Sequence, residues 1–507
     1  MRRRGAQGNN RELPTAHCQL MLQLRAVIPW LLLAVFIVVL GAALALLPWK
    51  WAALLVIGGI VLVGLLIRPQ YALCLLAFAV PFGSIREWPL GPVNIGGAEL
   101  LILLLLAFWL ARMVAARRII VPRAPLLLPL LIFLAAIFLS TFAAVSLELS
   151  AKEIVKWVEV LIIYLFMASE VDERWGKWVV WALLAAGSAE ALVGIYQFLY
   201  RLGPEGFVLF GRFMRAYGHF AQPNPFAGYL GLTFPLAYAL TLEALGRQWA
   251  AGSPKQAARY GQVLAQIVPY GAIIASFAVM LVAMVMSWSR GGWVGLAAAL
   301  LVITVMRSRT ALSSTIAIGA LVAYLLLAGG AQYLPQALVQ RVTDFMPYVG
   351  GIDVATVEVT DANWAVVERM AHWLAAVGMF TDHPWLGVGI GNYPVAYPRY
   401  ALGRWRDPLG HAHNYYLNIA AEGGIIGLSA YLVLFVACFA QAWRVIQRTH
   451  GYWRAVALGA LGVLVHLCVH NLFDNLFVHS MNVQLGLVLG LLLVTEKGAD
   501  ARHAYRH

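Results

Sequence analysis

The chain has 507 residues, of which 62% are hydrophobic and only 12% charged. A water-soluble domain usually carries about 25% charged residues, and no fold of this size has interior enough to hide such an apolar excess, so a bilayer must solvate much of the surface. The net charge of +13, from 36 Lys and Arg against 23 Asp and Glu, would suit nucleic acid, but no basic domain of useful size stands outside the apolar runs; nucleic acid is set aside as a partner, and part of the bias is the positive-inside signal of a membrane protein.

At roughly 20 apolar residues per crossing, spans are predicted near 27–47, 49–67, 70–83, 97–115, 124–143, 153–169 and 176–200 in the first half. The second half gives 224–243, 266–288, 291–306, 311–328, 413–442, 453–472 and 476–495. The third span ends at Pro81 and 291–306 is short. The expected fold is therefore an all-α polytopic membrane protein with about 12–14 transmembrane helices and a large, partly helical loop. The first apolar run follows Arg2, Arg3, Arg4, Arg11 and Arg25 and resembles a signal peptide. It is too long for a cleaved segment and a second span follows at once, so a retained helix is expected.

Alternate loops are basic, with Arg68, then Arg112, Arg117, Arg118 and Arg123, then Arg174 and Lys177, then Arg247, Lys255 and Arg259. Arg307 and Arg309 follow, then Arg444, Arg448 and Arg454, and finally Lys497, Arg502 and Arg506. The positive-inside rule then places both termini in the cytoplasm. The chain divides into a cytoplasmic tail at 1–26, a transmembrane bundle at 27–328, an outward loop domain at 329–412, further transmembrane helices at 413–495 and a tail at 496–507. The long loop holds Trp364, Trp373 and Trp385, which fits a folded cap better than disorder. Cys18, Cys74, Cys438 and Cys468 show no CxxC spacing and read as membrane-buried residues, not a disulfide or zinc framework.

The same rule leaves few arginines for outer loops, yet Arg201, Arg212, Arg215, Arg290, Arg341, Arg369, Arg399, Arg404 and Arg406 all fall there. Guanidinium forks suit phosphate oxygens; the alternative is solvated charge paired with Asp344, Asp382 or Asp407. Arg215 opens RAYGHFAQPNPFAGYL, where Pro223 and Pro225 bracket Asn224 at a helix start and His219 lies close in sequence. Arg290 sits in SWSRGGW between two apolar helices, where it either faces a ligand or snorkels to headgroups. Residues 361–380 read as an amphipathic helix, capped by Asp361 or Asn363 and stopped by Pro384. Its expected apolar stripe is Trp364, Val367, Met370, Leu374 and Val377, with Arg369 and His372 as surface neighbours.

The segment HAHNYYLNIAAEGGIIGL then returns the chain to the membrane. His413 stands at the helix mouth beside Asn414, and its unperturbed pKa near 6.5 suits proton transfer at neutral pH. Glu422, nine residues on, belongs to the opposite helix face and is expected to tie to another helix. His466, His470 and Asp474 recur at four-residue spacing, as a metal set or as a carboxylate orienting a catalytic group with two packed imidazoles.

Together RAYGHFAQPNPFAGY, SRGG, ERMAHWLAAVGMFTDHPWLGVGIGNY and HAHNYYLNIAAEGGIIGL resemble the O-antigen ligase family of lipid-linked glycan ligases and polymerases. The resemblance implies a glycosyltransferase-C-like helical fold that uses an undecaprenyl-diphosphate glycan donor without metal or other cofactor. It implies diphosphate contacts at Arg215, Arg290 and Arg369, and a base at His413. It gives supporting places to Asp474, His219 and Asn414, and an active site on the periplasmic face of a bacterial cytoplasmic membrane. The acceptor is a lipid A core sugar in the ligase reading. It is a second lipid-linked repeat in the polymerase reading, and a serine in a protein oligosaccharyltransferase. A transporter or flippase for an anionic glycolipid is the rival from another class, but the polar candidates gather at one face and no internal repeat is present.

Overall fold

The computed structural model describes residues 28–504 except 29–33, 36–37, 40, 43–44, 84–87, 91–92, 120, 123, 251–259, 328–331, 333–334, 344–352, 355 and 361–362. The tail at 1–26 with its arginines, Cys18, most of the expected span at 27–47, Arg123, Lys255, Arg259, Asp344, Asp361 and Arg506 lie outside the described residues. Two units separate between Arg68 and Pro69. The first contributes one described apolar helix, α1 (Trp49–Ile67).

The second unit opens with α2 (Gln70–Phe82), a small hairpin of β1 (Trp88–Leu90) against β2 (Val93–Ile95), and α3 (Gly97–Ala116). Next come α4 (Leu127–Ser140), α5 (Leu147–Glu170) and α6 (Glu173–Tyr200), then a second hairpin of β3 (Val208–Leu209) and β4 (Phe213–Met214). The expected span at 224–243 is broken at Leu232–Thr233 into α7 (Pro223–Gly231) and α8 (Phe234–Ala250). α9 (Tyr260–Met286), α10 (Arg290–Arg307), α11 (Arg309–Leu327) and the short α12 (Gln336–Thr343) follow. The chain ends through α13 (Trp364–Asp382), α14 (Tyr415–Arg448), α15 (Gly451–His470) and α16 (Met481–Ala504).

Local chemistry sets several of these ends. Ser146, Asp172, Ser289 and Asn414 each accept a backbone N–H of the first turn, a cap worth about 1 kcal/mol. Pro223 fills the first position of α7, where its missing N–H costs nothing. α15 is the centre of the unit, packed on α8, α10, α14 and α16. Gly459 and Gly462 bring it directly against Leu236, Pro235 and Ile303. Outer faces stay greasy, as at Leu128, Leu131 and Phe138 of α4 and Leu432, Val433 and Val436 of α14, which suits contact with lipid tails.

Eight described helices are long and apolar enough to cross a membrane by length and composition: α1, α3, α6, α7–α8, α9, α10, α14 and α15. A count of fourteen further needs the shorter α2 and α4, the short apolar stretch Leu312–Leu321 of α11, the charge-bearing α5 and α16, and the first run. α5 can lie among apolar helices because its charges are answered. Lys156 reaches Glu153 at 2.5 Å and the Phe477 carbonyl at 3.0 Å, and Asn482 donates to Glu159 at 2.8 Å. The described cysteines Cys74, Cys438 and Cys468 are free.

The stripe expected on α13 is displaced. Val367 is buried, but Trp364, Leu374 and Val377 are exposed; the packed face is Val367, Ala371, His372, Ala375, Ala376 and Met379. Small residues let α13 approach α14 closely, so the bulky side chains point away from it. Asn363 precedes the helix without a side-chain cap, its Oδ1 taking the Thr360 N–H at 2.7 Å instead.

α14 is broken where it would be expected to run straight. Gly424 has φ 62° and ψ −162°, and the segment after α13 fills the break. Val388 N donates to the Ala421 carbonyl at 2.8 Å, and Ile425 N donates to the Pro384 carbonyl at 2.8 Å. Glu422 accepts the Tyr393 N–H at 2.9 Å and so ties α14 to the short helix Tyr393–Ala396. Backbone groups freed by the kink are thus satisfied inside the protein.

Candidate active site

The loop ahead of α7 carries Arg215, and α6 holds that loop from beneath. Glu190, fully buried, accepts the His219 backbone N–H at 2.6 Å and contacts His219 Nδ1 at 2.8 Å. Gln197, two turns along the same face, accepts from Tyr217 N at 3.2 Å and Gly218 N at 2.7 Å and donates to the Gly218 carbonyl at 2.9 Å. Gly218 has φ 56°, and a Cβ there would overlap the Glu190 carboxylate. His219 therefore anchors the loop through Glu190.

Arg215 spends its fork on the α9–α10 join. Nε donates to the Ser287 carbonyl at 2.9 Å and Nη2 to Asn224 Oδ1 at 3.0 Å. Ser289 Oγ donates to the same Asn224 oxygen at 3.0 Å and accepts the Gly292 N–H, so the start of α10 and the start of α7 are tied together. Arg341 of α12 donates through Nε and Nη2 to the Trp288 carbonyl, at 3.2 and 3.0 Å.

These elements enclose a cavity of about 490 Å³ whose wall includes Arg215, Arg290, Arg341, Arg369, Trp373 and Asp474. Four guanidiniums face one carboxylate. Burial, and then the charges of Arg341, Arg369 and Arg290, pull the Arg215 pKa below its ordinary value. The Nε of Arg369 is buried without a hydrogen-bond partner. Such a cluster is costly unless an anion joins it, and the positive ends of α7 and α10 favour the same charge. Another part of the wall is apolar, at Val294, Met370 and Phe473.

His413 stands one residue behind that wall. Its Nδ1 is 3.4 Å from Asp474 Oδ1, an ion-pair contact at the long limit of a hydrogen bond, and its side chain is 17% exposed. Burial opposes ionisation of Asp474, but the His413 contact and the charges of His413, His411 and Arg369 outweigh it and hold the carboxyl well below the usual range. Burial, with His413 beside it, pushes His411 down to about 4; the same two causes push His372 down to about 4. His372 contacts the Tyr393 hydroxyl through Nδ1 at 2.9 Å and stacks on Tyr397. It shares α13 with Arg369 but belongs to the packed face. Asn414 caps α14 through Leu417 N at 3.1 Å.

The metal set of His466, His470 and Asp474 does not assemble. His466 Nε2 and His470 Nδ1 are 3.3 Å apart, but α15 ends at His470, so Asp474 leaves the four-residue register and turns to His413. Among the described residues, His411, His413 and Asp474 do offer one ligand atom each within 4.8 Å of the others. Arg369, close enough to act on both His411 and Asp474, opposes a dication there.

Arg215, Arg290 and Arg369, singled out in the sequence, thus share one wall with Asp474 and adjoin His413. Arg341, Trp373, His411, Glu190 and Gln197 were not singled out for the site. Glu190 had a signal, an ionisable residue inside an apolar span; Gln197 had none.

Helical layers of this kind define a multi-pass membrane protein, and the arginines of its cavity suit an anion while the apolar part of the wall suits a chain. Residues 275–432 match the family described as O-Antigen ligase. The match includes Arg290, Arg341, Arg369, His411 and His413 and leaves Arg215, His219 and Asp474 outside it. A search of the curated proteins gave no match.

Proposed function

We propose that the protein transfers a glycan from undecaprenyl diphosphate to an acceptor hydroxyl at the periplasmic face of a bacterial cytoplasmic membrane, in the manner of an O-antigen ligase. The observation that carries this reading is the placement of Arg215, Arg290, Arg341 and Arg369 on one cavity wall, with the Asp474–His413 pair adjoining it. The acceptor oxygen attacks the anomeric carbon while His413 takes its proton, and the bond from that carbon to the diphosphate oxygen breaks. Undecaprenyl diphosphate leaves with the bonding electrons, and the guanidiniums answer its growing charge. One well-aimed donor of this kind contributes roughly 3–4 kcal/mol, and a positioned base roughly 10²–10⁴-fold. Asp474 stabilises the imidazolium that forms. Attack opposite the leaving group inverts the anomeric configuration. The apolar wall at Val294, Met370 and Phe473 suits the first units of the polyprenyl chain.

The two termini are assigned to the cytoplasm and 329–412 to the periplasmic side, because that orientation leaves the alternate loops basic. A lipid A core acceptor defines the ligase reaction and a second lipid-linked repeat the polymerase reaction; the donor site is common to both. The test is purified protein with a synthetic undecaprenyl-diphosphate disaccharide, supplied alone and with a lipid A core acceptor. Release of undecaprenyl diphosphate only with the core sugar supports the ligase, whereas chain growth from donor alone means the polymerase. Wild-type turnover by His413→Ala would remove the base from this scheme.

A further inference from the structure

His413 is held in a backbone conformation that few residues other than glycine adopt. Its φ is 52°, in the left-handed region, which histidine enters more often than most side chains but still uncommonly, so the surroundings must hold it there. Both of its backbone polar groups are engaged by side chains. The His413 N–H donates to His411 Nδ1 at 3.1 Å, and the indole N–H of Trp373 donates to the His413 carbonyl at 3.2 Å. The neighbouring peptides are also fixed: Ala412 N donates to Asn418 Oδ1 at 3.0 Å, and Tyr415 N donates to the Asn471 carbonyl at 2.8 Å.

From this geometry we infer that His411 and Trp373 are positioning residues that clamp the His413 backbone from opposite ends and so aim its imidazole at Asp474 and the cavity. The inference rests on His413 being the base. His411 can fill this place only with Nδ1 unprotonated, and its burial keeps it neutral. Its ring meets that of His413 edge-on, with centroids 4.4 Å apart, so the contact restrains the side chain as well as the N–H. Trp373 reaches His413 from α13, the helix that also carries Arg369 to the cavity wall. One helix therefore sets the leaving-group side and the proton-accepting side of the site together. Small displacements matter here, since a misplacement of about 1 Å can cost roughly a hundredfold in rate.

The experiment uses the full-length protein with the undecaprenyl-diphosphate disaccharide and its acceptor, measuring kcat and donor KM separately. His411→Leu removes the acceptor at similar bulk, and His411→Asn restores an oxygen that can take the N–H. The expected result is a kcat roughly tenfold or more lower for His411→Leu and for Trp373→Phe, little change in donor KM, and substantial recovery in His411→Asn. In a His413→Ala background the same substitutions should cause no further loss. Wild-type kcat in His411→Leu and Trp373→Phe, beside an inactive His413→Ala, overturns the clamp and leaves the base standing. Equal kcat in His411→Leu and His411→Asn also overturns it. Activity in His413→Ala, by contrast, defeats the base assignment itself.

Discussion

Asp474 Oδ1 lies 3.4 Å from His413 Nδ1, a contact that joins the turn after α15 to the mouth of α14. Both side chains are mostly buried, so solvent screens the contact little. In the proposed transfer, Asp474 stands where it can stabilise the proton that His413 takes from the acceptor.

Replacing Asp474 with asparagine preserves shape and removes the charge. The expected outcome is a kcat about a hundredfold lower with a small effect on donor KM, because the loss falls on the transferring proton and not on diphosphate contacts. The change should also show in stability. A carboxyl whose folded pKa is depressed contributes stability that is present above its unfolded value near 4 and is lost as pH falls through the folded value. Thermal melts below about pH 4 should therefore fall less steeply in Asp474→Asn than in wild type.

The arginines that meet at the cavity could be recognised in the chain because positive charge on the expected outer side has a physical cost and needs a reason. What could not be recognised was pairing at a distance. Glu190 and His219 belong to separate elements, and only the fold shows that one buttresses the other. The double glycine at 423–424 gave no sign that Pro384 and Val388 would fill a break in α14, since an apolar run with two glycines reads as a tolerable helix. The stripe on α13 misled for a related reason. Periodicity reports which side chains are apolar, but on α13 it is the small residues Ala371, Ala375 and Ala376 that pack, and Leu374 and Val377 stay exposed.

Arg215→Lys separates charge from geometry. Lysine retains the positive charge but cannot bond the Ser287 carbonyl and Asn224 together as the guanidinium does. A drop of about ten- to a hundredfold in kcat/KM is expected, equivalent to roughly 1.4–2.7 kcal/mol of lost transition-state stabilisation. Steady-state kinetics against the lipid-diphosphate donor measures it, and retention of full activity would show that charge alone suffices.

Acid should loosen the region around His413 before it touches the rest. His372 and His411 both have folded pKa values of about 4 against an ordinary 6.5, so the unfolded chain binds protons that the folded chain refuses. Their contribution is complete above pH 6.5 and is lost progressively as pH falls towards 4. The groups acting on them are His413 and Asp407 for His372, and His413, Asp474, His372 and Arg369 for His411. Melting temperature in detergent is expected to decline between pH 6.5 and 4, and to decline less in His411→Asn. An unchanged slope in that variant would argue against the neutral buried histidine.

Gly424→Ala tests whether the broken helix is what docks the segment behind α13. At φ 62° and ψ −162° an alanine is strained by about 1–3 kcal/mol, and its Cβ would overlap the Trp385 carbonyl. Relief comes either by displacing 384–388 or by straightening α14 through the kink. Both outcomes release the hydrogen bonds from Val388 to Ala421 and from Ile425 to Pro384, and both disturb the Glu422 contact to Tyr393. Tyr393 in turn carries the hydroxyl that meets His372. The expected result is faster proteolysis within 383–412 and lower kcat, with α15 and the core around it unaffected by hydrogen exchange. Unchanged protection at Val388 and Ile425 would mean that the break accommodates a methyl group, and that the docked segment depends on other contacts.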